Sequence, residues 1–196
     1  MLPRKISGYQ GGIYVWLLQV IIVLALASTV IWLSLQPKSP LYTIADVYVP
    51  ALDVRNTTFP RGGVGRNSTI IFNVQISNPN KGIGIYYDEI NFTLYYSEAV
   101  MGVCSIPSFY QGHSKTTQSE VSVHTQKQFW EAISNGTVVD FMVDLAAVVR
   151  YKRFCSKTKH HQMDLQAHVP VSSNGTIVGE KNIKLLRIPK LNKTPY

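Results

Sequence analysis

Seven basic side chains crowd one short stretch: Arg150, Lys152, Arg153, Lys157, Lys159, His160 and His161. A cluster of this kind is either a solvated charged stretch or a seat for an anion. The anions that suit it are lipid headgroups and acidic polysaccharide. Its two histidines have no further ligands at metal spacing, so no metal is expected. Asp140 and Asp144 fall on one face of a single strand. A carboxylate pair for glycoside hydrolysis also needs a cleft, which no signature announces. The run Arg61–Arg66, RGGVGR, lacks the Gly-Lys-Ser/Thr ending of a phosphate loop and reads as a flexible hairpin. No Ser/His/Asp or Cys/His arrangement is legible. The expectation is therefore a chain that is not an enzyme and has no cofactor and no catalytic or metal residues.

Other residue types speak of compartment. Asn-x-Ser/Thr sequons stand at Asn56, Asn67, Asn91, Asn135, Asn174 and Asn192. With 10 Asn and 29 Ser plus Thr in 196 residues, chance supplies only about 1.5. The excess implies passage through the secretory pathway with N-glycans on the surface. In such a compartment the two cysteines, Cys104 and Cys155, form a disulfide or remain two buried thiols. A bridge closing about 50 residues would stabilise by roughly 3–4 kcal/mol in the chain-entropy picture.

The element that sorts these residues by compartment is Ile13–Leu35, an uncharged apolar run. As a helix it spans roughly 34 Å, enough for a hydrocarbon core about 30 Å thick. Trp16 and Trp32 sit near its ends as interfacial aromatics do. A cleaved leader is the alternative, because Ala25-Leu26-Ala27 precedes Ser28. However, Val30-Ile31-Trp32-Leu33 carries the apolar run past that point. Arg4 and Lys5 precede the span and only Lys38 follows closely, which predicts a cytosolic N-terminus and an exported C-terminal part. All six sequons lie on that exported side. The expected divisions are a cytosolic tail 1–12, a membrane anchor 13–35, a linker 36–40, an exported domain 41–190 and a tail 191–196. The net charge is +8; beyond residue 40 the chain holds 16 basic against 11 acidic residues, too mild a bias for nucleic-acid binding.

Beyond the two prolines of residues 36–40, the apolar period becomes two. Ile70-Phe72-Val74-Ile76, Ile90-Phe92-Leu94-Tyr96 and Met163-Leu165-Ala167-Val169 each alternate with polar neighbours. They read as half-buried strands, and the same alternation puts Asn91 on a wet face. Less regular strands are expected at 41–54, 102–106, 118–125, 138–150 and 176–188. Ser173-Asn174-Gly175 reads as a hairpin turn. Residues 126–134, between Thr125 and Gly136, read as one short helix. About eight strands and one helix predict an antiparallel β-sandwich.

Residues 78–88 read NPNKGIGIYYD. Pro79 lacks the amide that a strand ladder needs, and Asn-Pro-Asn favours a turn. Gly82 and Gly84 permit backbone angles closed to other residues, which predicts a bulge or wide turn. Tyr86 and Tyr87 must then point to opposite faces, one into the core and one outward.

This stretch resembles a motif of the plant NHL family, the proteins related to harpin-induced and non-race-specific disease-resistance proteins. Ser108-Phe109-Tyr110-Gln111-Gly112-His113 with Lys115-Thr116-Thr117 resembles a second signature of that family. The topology is similar too: a short tail, one anchor, and an exported domain of late-embryogenesis-abundant type 2. The resemblance covers roughly residues 10–190. It implies a fibronectin-III-like β-sandwich, a plasma-membrane or plasmodesmal location, roles in pathogen or stress responses, and no agreed catalytic activity. The chain departs from the family pattern in its short tail, in lacking Arg-Gly-Asp and Asn-Gly-Asp, and in a polar C-terminus that does not fit a GPI signal. The expected function is that of an anchored interaction module with a contact surface at Tyr86, Tyr87, Tyr110 and His113. The expected partners are the membrane, proteins at the cell surface, and anionic lipid or acidic polysaccharide at the basic cluster. The alternatives are a sandwich that binds a lipid or other apolar ligand between its sheets, and a glycan-active enzyme.

Overall fold

A computed structural model describes residues 7–34, 36–50, 68–125, 138–153, 156–172 and 175–188. The expected helix at 126–134 and the loop at 61–66 lie outside these residues. So do the sequons at Asn56, Asn67, Asn135, Asn174 and Asn192. The chain forms two compact units, one up to Pro37 and one from Lys38 onward.

The first unit is helix α1, Ser7–Ser34. Its stretch Gly12–Leu33 is 22 residues long and apolar enough to cross a membrane. Within it the hydroxyls of Ser28 and Thr29 donate to the carbonyls of Leu24 and Ala25. Polar groups satisfied inside the helix are what a hydrocarbon environment demands. The Gln36 amide donates to the Leu33 carbonyl and closes the helix end, and Pro37 stops its continuation.

The second unit is built from strands: β1 (Leu41–Tyr48), β2 (Ser68–Ser77), β3 (Gly84–Tyr87), β4 (Ile90–Tyr96), β5 (Ala99–Ile106), β6 (Phe109–Gln111), β7 (Thr116–Thr125), β8 (Val139–Arg153), β9 (Ser156–Lys157), β10 (His161–Val171), β11 (Ile183–Lys184) and β12 (Leu186–Arg187). One antiparallel sheet runs β11-β1-β2-β7. The other runs β12-β10-β8, with β3 and β4 in tandem along β8 and β6 and β5 beyond them. The alternation read from the sequence puts Ile70, Phe72, Val74 and Ile76 on the inner face of the first sheet. Ile90, Phe92 and Leu94 occupy the inner face of the second. Phe72 and Phe92 meet across the interface at 5.0 Å between ring centres. The two sheets share one core, so the sandwich expected from the period-two pattern is present.

The two sheets are tied at both sides. Gly102 on β5 comes so close to β7 that an added Cβ would stand 2.6 Å from Val123 Cγ1 and 2.8 Å from the His124 carbonyl oxygen. On the opposite side, β11 pairs with β1 and β12 pairs with β10. Between them Leu185 is buried, so five residues cross from one sheet to the other. The β4–β5 hairpin turns through Ser97 and Glu98, both at positive φ (46° and 69°), the twist such tight turns require.

The extra elements relative to expectation are β3, β6 and β9 and the division of 176–188 into bridges and two short strands. Gly175, at φ 77°, is the described residue of the turn expected at 173–175; Ser173 and Asn174 lie outside the described residues.

Candidate functional site

The Asn-Pro-Asn turn is a buried hydrogen-bond knot. Asn78 Nδ2 donates to the Ile83 carbonyl (2.9 Å) and the Gly112 carbonyl (3.0 Å). Asn78 Oδ1 accepts from the Asn80 amide (3.0 Å) and from Asn80 Nδ2 (2.9 Å). Asn80 then grips the backbone of Lys38 at both polar atoms: the Lys38 amide donates to Asn80 Oδ1 (2.7 Å), and Asn80 Nδ2 donates to the Lys38 carbonyl (2.8 Å). The Ser114 amide donates to the Asn80 carbonyl, and the Asn78 amide to that of Lys115. The full capacity of the Asn78 side chain is used, which explains asparagine in a nearly water-free place.

Beyond the knot, β3 separates the adjacent tyrosines. Tyr87 is core: its ring stacks on Phe109 (4.5 Å, 13°) and meets Tyr42 edge-on (6.4 Å, 90°). Its hydroxyl donates to Gln111 Oε1 at 2.8 Å. Gln111 Nε2 in turn donates to the Ile76 carbonyl and to Thr117 Oγ1. Burial, with Tyr151 as a lesser cause, pushes the Tyr87 hydroxyl well above the usual phenol range. Tyr87 is therefore removed from the expected contact surface: a buried, hydrogen-bonded phenol meets no partner.

Tyr86 points the other way. On the outer face its ring lies 4.6 Å from that of Tyr110, its register partner on β6. Lys157 Nζ stands 4.2 Å from the Tyr86 ring centre, and Lys152 Nζ stands 5.4 Å from that of Tyr110. Cations over exposed rings contribute about 0.5–1 kcal/mol each. Arg150, the register partner of Tyr86 on β8, bonds Asp88 Oδ1 at 2.7 Å. His160 Nε2 lies 3.6 Å from the other oxygen of that carboxylate. The basic cluster thus divides. Lys152 and Lys157 serve the tyrosine face, Arg150 is neutralised by Asp88, and Lys159 and His161 are exposed. The side chain of Arg153 lies outside the described residues. His113 is exposed in the turn after β6, one residue beyond Gly112, and does not join the tyrosine pair's row.

Gly84 has a different reason from the one expected. The described glycines at positive φ are Gly175 and Gly179, not Gly82 or Gly84. What Gly84 provides is room. A Cβ there would meet the Tyr110 hydroxyl and stand 2.8 Å from two of its ring carbons, so the ring lies flat on bare backbone. Gly84→Ala should displace the Tyr110 ring from Tyr86 and cost only about 1 kcal/mol, the worth of an aromatic pair. Loss of the Tyr86–Tyr110 ring-current shifts in NMR, with folding intact, is the expected result. Unfolding of the variant would mean that the ring cannot move.

Cys104 is half-buried on β5. Cys155 lies outside the described residues. Cys104 sits opposite Phe92 on β4. Alkylation of Cys104 in the native, unreduced chain would show a free thiol. Protection until reductant is added would show it bridged. The other described residue of the predicted modification set, Asn91, is exposed on β4 as the alternation required.

Comparison with known proteins fits this architecture. The family model described as Late embryogenesis abundant protein matches residues 73–167, from β2 into β10. Protein NDR1 of Arabidopsis thaliana is 33% identical over 180 residues, covering 86% of this chain and 79% of that protein. NDR1/HIN1-like protein 1 is 28% identical over 185 residues, covering 84% of this chain and 83% of its own length. NDR1/HIN1-like protein 3 is 33% identical over 102 residues, 52% of this chain and 42% of that protein. With an apolar helix ahead of a sandwich that carries both signatures, and a relative of this identity matched along most of its length, the chain belongs to the NDR1/HIN1-like family.

Proposed function

We propose that the chain is a non-catalytic contact protein of plant defence or stress responses, anchored by α1 in the plasma membrane with its sandwich exported toward the wall. The observation that carries this reading is the outer face of the second sheet, where Tyr86 and Tyr110 lie side by side under Lys157 and Lys152. The apolar face of a sugar would replace these ammonium groups on the rings, and the displaced lysines would pair with its carboxylate. The partner class is acidic wall polysaccharide. A ligand held between the sheets competes with a space already filled by Tyr42, Tyr87, Phe72, Phe92 and Phe141.

The test uses the tagged full chain in plant membranes. Glycosidase should shift its gel mobility by several glycans, and a C-terminal tag should resist protease in sealed vesicles. Tyr86→Ala combined with Tyr110→Ala should lose retention on immobilised polygalacturonate while remaining folded and at the membrane. Retention equal to the parent chain would overturn the assignment of this face.

A further inference from the structure

We propose that Tyr86 and Tyr110 form a site of oxidative coupling, at which hydrogen peroxide and a haem peroxidase join the two rings by a carbon–carbon bond ortho to each hydroxyl. This goes beyond the polysaccharide reading and does not rest on it, because the chemistry needs only the two phenols side by side.

Three observations carry it. The two residues are register partners on neighbouring strands, and their ring centres stand 4.6 Å apart with a tilt of 42°. Small rotations about the side-chain bonds bring their ortho carbons together. The pair is also open on the outside: Tyr110 is 49% exposed and Tyr86 is half-buried, so a surface oxidant reaches it. Among the described residues the other tyrosine pair in ring contact, Tyr42 and Tyr87, fails on both counts, being edge-on at 6.4 Å and buried. Lastly, Gly84 keeps the arrangement. It stands two residues before Tyr86 and therefore on the same face of β3. The Tyr110 ring crosses the space that a Cβ there would fill.

Each phenol gives up one electron and its hydroxyl proton. The ammonium groups of Lys157 and Lys152, 4.2 and 5.4 Å from the two ring centres, oppose positive charge on the rings. The proton therefore leaves with the electron, and neutral phenoxyl radicals result. Their spin density lies partly on the ortho carbons. Two such carbons pair their electrons in one new bond, and the ortho hydrogens then pass to the two oxygens, which restores both phenols. The peroxide takes up the two electrons and two protons and leaves as two waters. Rings already held together couple far faster than radicals that must meet by diffusion. The product ties β6, an edge strand of three residues, covalently to β3.

The test treats the full chain in nanodiscs, one copy per disc, with a haem peroxidase and hydrogen peroxide. The intact monomer should lose the mass of two hydrogens and gain dityrosine fluorescence. Protease digestion should yield one linked peptide pair, containing Tyr86 and Tyr110. Tyr86→Phe and Tyr110→Phe should each abolish the product. Gly84→Ala, which retains both phenols but moves the Tyr110 ring, should cut the yield severalfold. Absence of the product, linkage through other tyrosines, dimers between discs in place of the internal bond, or an undiminished yield in folded Gly84→Ala would overturn the proposal. Polygalacturonate retention is measured on the untreated chain, so the two readings succeed or fail separately.

Discussion

Tyr87→Ala is expected to lose roughly 3–5 kcal/mol of stability, the cost of truncating a buried aromatic, whereas Tyr86→Ala should cost about 1 kcal/mol or less. The residues are adjacent and identical, so propensity and composition cannot separate them. Environment does. Tyr87 fills space between Phe109 and Tyr42 and satisfies Gln111. Tyr86 rests on the surface between Tyr110 and Lys157. Tyr87→Phe isolates the hydrogen bond: it keeps the ring and leaves Gln111 Oε1 without its donor, for about 1–3 kcal/mol. Urea unfolding of the three variants measures all of this. Equal losses at the two tyrosines would refute the division of faces.

The second large effect lies at Asn78. Alanine there removes four hydrogen bonds and leaves two carbonyls and two Asn80 donors without their partner. At about 1–3 kcal/mol for each stranded buried group, with incomplete additivity, the expected loss is roughly 3–5 kcal/mol. Asn78→Asp has nearly the same shape but replaces a donor with a carboxylate oxygen facing the carbonyls of Ile83 and Gly112. Its folded-state pKa should be raised above the unfolded carboxylate value, near 3.9. The folded state then binds the proton more readily than the unfolded chain. The deficit is full above the folded pKa and shrinks as pH falls through it toward the unfolded value. A deficit independent of pH would show that the carboxylate had escaped to water.

Much of the sandwich was legible because β2, β4 and β10 each have one buried and one wet face, and such strands print their period in the sequence. The choice between Tyr86 and Tyr87 was not legible. Carried backward from Ile90, the alternation of β4 would bury Asp88 and Tyr86. The register shows why it fails. Tyr87 faces Val149 and Asn91 faces Ala146, four steps on one strand against three on the other. That extra residue at Asp88–Glu89 reverses the faces. Strands β3 and β6 are too short to show a period, and they exist because β8 runs on to Arg153 and offers partners. The turn at Ser97–Glu98 carries no Asn-Gly or Asp-Gly signal. Gly84 announced a special position, but its reason, the Tyr110 ring, lies 26 residues away in sequence and is visible only in three dimensions.

The crossing of residues 183–187 between the sheets also sets an order of events. Thr43 on the first strand is partnered by Lys184 near the end of the chain, about 140 residues later. At a synthesis rate of about 5–20 residues per second, β1 waits roughly 7–30 s for that partner. Contacts this far apart in sequence make for slow closure. During that interval the alternating strands are unsealed on the side that β11 and β12 later cover. On the proposed exported topology, an oligosaccharide at Asn91 would have time to be attached before the fold is complete, and removing the last pairing segment should leave a chain that is synthesised but held back by quality control.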